Sequence, residues 1–117
     1  MNTDDNFEDD TTQPQPLDWR GMTHEVFNPD HTAGAACNRD GEIIGLHITD
    51  EARENGEVWL AAEILRVARL AHFKSRVALR AEMEFNGTHS HTIDSFDLPT
   101  EAAYRAAEAA EFGTALQ

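Results

Sequence analysis

Three groupings in this 117-residue chain combine residue types and spacing that could do chemistry. His89-Ser90-His91, with Asp94 and Asp97 downstream, offers imidazole and carboxylate donors for a metal ion. A metal site needs three or four ligands held in fixed geometry by a second shell. Two histidines in a polar loop fall short, so no metal is expected. Cys37, the sole cysteine, with His31 six residues upstream, is a formal thiol–imidazole pair. Nucleophilic catalysis would need both in one pocket, and an inert thiol is the default. No stretch gathers a nucleophile, a base and an oxyanion donor. The chain reads as a non-enzyme without a cofactor and without catalytic residues. His24, His47 and His72 are scattered, and His47 should face solvent or a partner.

The third grouping is cationic. Arg66, Arg69, Arg76 and Arg80 recur at helical spacing, and the segment 66–80 holds five bases and no acid. Such a face could contact phosphates, meet an acidic segment or client, or simply lie in water or in intramolecular pairs. The chain as a whole opposes the first option. Its 22 acids outweigh nine Lys and Arg to give a net charge of −13, and an acidic protein is repelled by nucleic acid.

These arginines sit on the dominant pattern of the chain, a helix of about 30 residues at 57–86. Asn55-Gly56 should open it and Asn86-Gly87 should close it. Leu60, Ile64, Val67, Ala71 and Ala78 form one apolar stripe, and Trp59, Leu70, Phe73 and Val77 a second about 100° away. Leu65, Leu79 and Met83 occupy a third side. At ~45 Å the helix should overhang strands of ~17–20 Å. The second stripe is therefore expected to meet another subunit or a client protein. The alternative is cover from a C-terminal helix through Tyr104 and Phe112.

Around the helix the order is simple. Residues 1–18 carry six of the acids and no base and should form a disordered tail. Three strands are expected at 23–28, 32–38 and 42–49, with turns at Asn28-Pro29 and Asp40-Gly41. In the third, Ile44, Leu46 and Ile48 alternate with Gly45 and His47 and should look toward a core. Residues 50–56 should be a polar link and 88–97 a loop. Thr100 should cap a short helix over 102–112, ended by Gly113. The fold class is α+β: a three-stranded antiparallel meander packed by one long helix, plus a short C-terminal helix. The divisions are a tail 1–18, a domain 19–97 and a C-terminal piece 98–117. The lone cysteine fits a cytoplasmic protein. No apolar run is long enough for a membrane span, and the acidic start lacks the pattern of a secretory signal.

Several strings resemble a mycobacterial family of secretion-associated proteins, the EspD- and EspH-like proteins of type VII (ESX) secretion. They are Asn28-Pro29, Asp40-Gly41-Glu42-Ile43, Leu60-Ala61-Ala62-Glu63-Ile64-Leu65, Leu70-Ala71 with Lys74 in register, and Leu98-Pro99-Thr100 ahead of an Ala/Glu helix with Phe112. The strand–strand–strand–helix order also resembles the YbaB/EbfC fold, whose members dimerise through sheet and helix. The chain lacks the leading helix of typical YbaB proteins, and its tails are shorter than those of the secretion family. The resemblance implies a homodimeric, chaperone-like accessory protein that binds secretion substrates. A nucleoid-associated DNA binder of YbaB type ranks second. Trp19-Arg20-Gly21 matches the Trp-x-Gly element of ESX substrates. Tyr104 and Glu108 match their Tyr-x-x-x-Asp/Glu export signal, which would allow export of the protein itself. The plainer reading of both is a packed tryptophan and an ordinary helix surface.

Overall fold

The computed structural model describes residues 18–113, so nearly all of the expected acidic tail lies outside the described residues. Three strands, β1 (His24–Phe27), β2 (Ala33–Cys37) and β3 (Ile43–Ile48), form an antiparallel sheet in that order. Next come a single helical turn, α1 (Asp50–Arg53), the long helix α2 (Glu57–Phe85), a short helix α3 (Ser90–Ser95) and α4 (Glu101–Phe112). The fold is α+β, with α2 laid across one face of the sheet.

Helix α2 lies over β1 and β2 and barely touches β3. The reason is side-chain size. The helix-facing residues of β2 are Ala33, Ala35 and Cys37, all buried. Such small side chains let the helix backbone approach closely, and Val67, Leu70 and Ala71 of α2 close over them with Val26 of β1. An Ala-rich strand is poor by propensity, yet here it is the central strand. Tertiary packing against the helix outweighs the intrinsic preference.

A buried polar network fixes the helix to the sheet. Asn28, in the turn after β1, has its side-chain oxygen accept from the Thr32 and Ala33 backbone N–H groups at 2.9 and 3.1 Å. Its amide nitrogen donates to Thr32 Oγ1 and to Glu63 Oε2, each at 2.9 Å. Glu63 is itself buried and accepts from Arg66 Nη1 at 3.1 Å. Every hydrogen-bonding atom of the Asn28 side chain therefore has a partner, as burial requires. At the other end of the sheet, the Arg39 guanidinium holds Glu82 by two bonds of 2.8 and 2.7 Å. That fork keeps the Glu82 carboxyl below its usual range.

Three local expectations are corrected. Asn55 does not cap α2: Gly56 occupies that position at φ 93° without a side-chain bond, and Asn55 donates to the Glu51 carbonyl instead. The 88–97 loop contains helix α3, anchored by the buried Ile93. Its apolar content is one residue, too little to show a period. The third strand also carries an irregularity that alternation alone does not show. A bulge opposite Ala36 and Cys37 leaves Ile44 without a cross-strand partner and puts Ile43 opposite Cys37. Finally, β3 does not face a core. Ile43, Ile44 and Leu46 are 45%, 54% and 53% exposed, because α2 is centred over the other two strands.

Replacing Asn28 by Ala would strand two backbone donors and one carboxylate oxygen in the interior. A stability loss of about 2–4 kcal/mol is expected. Urea denaturation followed by circular dichroism would show it as a lower midpoint at unchanged slope.

Candidate interaction surface

The apolar stripe on α2 is largely covered from within the chain. Leu70 is buried, and Phe73 and Val77 pack against the core beside Tyr104 and Phe112. The Phe73 and Tyr104 rings meet edge to face at 5.7 Å between centroids. Cover by α4 is thus what the structure places over these three residues. Trp59 stands one turn into α2 and is half-buried.

The basic face is mostly spent internally. Arg66 bonds Glu63 and Glu111, each at 3.1 Å, and its guanidinium lies 5.7 Å from the Phe112 ring centroid. Arg80 reaches the Leu98 carbonyl at 3.0 Å, with Glu84 and Asp94 nearby. Arg76 donates to the Arg39 carbonyl at 2.6 Å, a neutral acceptor that leaves its charge unbalanced. Arg69 is exposed, and among the described residues it has no ion pair or side-chain hydrogen bond. A phosphate backbone would find two uncompensated guanidiniums here, Arg69 and Arg76, rather than a row of four.

Among the described residues two apolar surfaces stay open, besides the single exposed side chains Val58, Leu65, Phe85 and Phe96. The first is β3 itself, whose sequence Ile-Ile-Gly-Leu-His-Ile has neither charge nor proline. It forms an outer edge of the sheet and offers a row of unpaired backbone groups. The opposite edge is guarded: Lys74 of α2 donates to the Glu25 carbonyl of β1 at 3.0 Å. The second feature is an open groove of about 580 Å³ between the start of β3, α2 and the approach to α4. Ile43, Ala68, Phe73 and Pro99 give it an apolar lining, and Arg69, His72 and Arg76 give it positive or polar borders. His72 Nδ1 lies 3.0 Å from the Gly41 carbonyl, so this nitrogen carries the proton and donates. Gly41 has φ +85°, and a Cβ there would strike the His72 ring. The hairpin turn therefore needs glycine on both counts.

The candidate catalytic and metal residues lie apart. His31 sits in the turn before β2 and Cys37 at the far end of that strand, which alone spans about 13 Å from Ala33 to Cys37. The cross-strand partner of Cys37 is His24, a pairing that emerges only from the hairpin register. Burial raises the Cys37 thiol and lowers the His24 imidazole, with Lys74 and Arg76 lowering the imidazole further. Both are thereby held neutral, the opposite of an activated thiolate. His89 and His91 are exposed, and among the described residues no group of three His, Cys, Asp or Glu is placed to hold a metal. Trp19 packs on Phe85 at 5.8 Å, and Gly21 donates to Asp18 within a turn. Tyr104 is buried, and its hydroxyl donates to Glu108 at 3.4 Å. None of the described helices is long and apolar enough to cross a membrane.

Comparison with protein-family models, with curated proteins and with solved structures finds no match to the chain.

Tyr104 gives a direct optical test of this packing, because it is the only tyrosine. Burial first, then the Glu108 carboxylate, pushes its phenol up to about 12. An unfolded tyrosine ionises near 10. The contribution to stability is therefore complete below about pH 10 and lost as pH rises through about 12. Absorbance at the phenolate band should show no ionisation near pH 10 in the folded chain. A charge at Phe73 should act on the same contact: Phe73→Asp is expected to unfold the chain, read as loss of the cooperative thermal transition, instead of yielding a folded monomer.

Proposed function

We propose that this chain is a non-enzymatic accessory protein that assembles as a homodimer through β3 and holds other proteins in a chaperone-like way. The observation that carries the reading is the bare outer strand. Ile43, Ile44 and Leu46 are each about half exposed on an edge that carries no blocking charge. Exposed edges of this kind are templates for adding a strand. Two copies paired through β3 in antiparallel fashion would give one continuous six-stranded sheet with two-fold symmetry. Ile43, Leu46 and Ile48 from both copies would then close over one another on the helix side.

The secretion setting rests on the ordered likeness to EspD- and EspH-like proteins. The three-stranded meander crossed by a long helix is consistent with the YbaB-like part of that likeness. The protein would act in the cytoplasm on type VII substrates. DNA binding is less favoured, because the side chains of Arg66 and Arg80 are already paired with carboxylates of the same chain.

Light scattering should return twice the chain mass of 13.0 kDa. Leu46→Lys, at an exposed position, should give a folded monomer with an unchanged circular dichroism spectrum. A monomeric wild type, or a Leu46→Lys dimer, would remove the β3 assembly. Purified type VII substrate that fails to bind in calorimetry would remove the client role.

A further inference from the structure

We infer that the groove beside Gly41 is the docking site for the chain's own acidic head, with Phe7 seated among Ile43, Ala68, Phe73 and Pro99. Three observations converge on this occupant. The first is chemistry. Phe7 is the one aromatic residue in the first 18 and stands between Asp4, Asp5 and Glu8, Asp9, Asp10. The groove offers the complement, an apolar lining bordered by cations.

The second is charge balance. Arg69 has no ion pair among the described residues, and Arg76 spends its bonds on the Arg39 carbonyl and the Ser75 hydroxyl. Two guanidiniums in a protein of net charge −13 thus lack a carboxylate. The head holds the densest supply of them.

The third is reach. The described chain begins at Asp18, and Arg20 lies beside Asn38, Arg39 and Asp40 of the same hairpin turn that borders the groove. Phe7 is 11 residues ahead of Asp18, a span of up to ~36 Å when extended. From Phe85, where Trp19 packs, to His72 is 13 residues of helix, or ~20 Å. The head is long enough to turn back along α2 and enter the groove.

This site is separate from the dimer proposed above, and its test is run on the Leu46→Lys chain as well as the wild type so that the two can fail independently. Amide shifts of Gly41, Ala68, Arg69, His72 and Phe73 are recorded by NMR in the full-length chain and in its Phe7→Ser variant. Docking predicts that these shifts differ between the two, while those of the β1–β2 turn do not. A synthetic peptide of residues 1–17 should then move the same amides in the Phe7→Ser protein. It should half-saturate at a concentration at least five-fold lower than the wild type requires, where the groove is already filled. Arg69→Glu placed in the Phe7→Ser background should weaken the peptide by five-fold or more, as should 0.5 M salt. Groove amides unmoved by Phe7→Ser, or a peptide that binds equally with Glu at position 69, would overturn the inference. So would a peptide footprint elsewhere on the surface, the outcome expected if a partner protein or a second copy is the occupant.

Discussion

The close approach of α2 to β2 governs the rest of the structure. Ala33, Ala35 and Cys37 leave no bulk between helix and sheet, so α2 settles where its Val67, Leu70 and Ala71 meet the smallest strand. The Asn28–Glu63 bond then fixes its position. A buried carboxylate is costly unless its oxygens are satisfied, and here Asn28 and Arg66 each take one. Shifting the helix sideways toward β3 would break that network and bury nothing in return at β1.

Seating the helix over β1 and β2 has two consequences. Its far flank is left for α4, whose Tyr104 and Phe112 lie over Phe73, Val77 and Arg66. The sheet is left one strand wider than its cover. Beta3 keeps its pairing to β2 but has almost no helix above it, and Ile43, Ile44 and Leu46 stay half in water. Apolar surface without internal cover lies on the sheet edge and, beside Phe73, in the open groove along α2.

The elements were legible in the sequence where one residue type decides a boundary. Asn28-Pro29, Asp40-Gly41, Thr100 and Gly113 each mark a turn or cap, and strands, α2 and α4 all fall within a residue or two of expectation. Thr100 does cap α4, accepting from the Ala103 N–H at 3.1 Å. What the sequence hid depends on long-range pairing. Alternation in β3 suggested burial, because periodicity reports which side chains share a face and not whether another element covers it. Glu63 sits among apolar neighbours and looks like a solvent position until Asn28, 35 residues earlier, is brought to it. The same holds for His24 and Cys37, joined only by register. The arginines read as one basic face, yet their individual partners come from four different segments.

The two open apolar surfaces differ in what they ask of a partner. Beta3 is uncharged, and any second copy that approaches it brings a net charge of −13 with it. Long-range repulsion then opposes association, and only the short-range gain of a strand ladder and buried isoleucines can overcome it. Such a contact strengthens as salt screens the repulsion. The groove is the reverse: Arg69 and Arg76 would attract acidic chain from a distance, and the apolar lining would hold an aromatic side chain that arrived. Such a contact would weaken as salt rises. A single ionic-strength series therefore separates the two surfaces by the sign of their response. The acidic excess of the chain also has a physical use under this scheme. It would keep a bare, uncharged edge strand from pairing indiscriminately, leaving it open only to a partner whose register repays the repulsion.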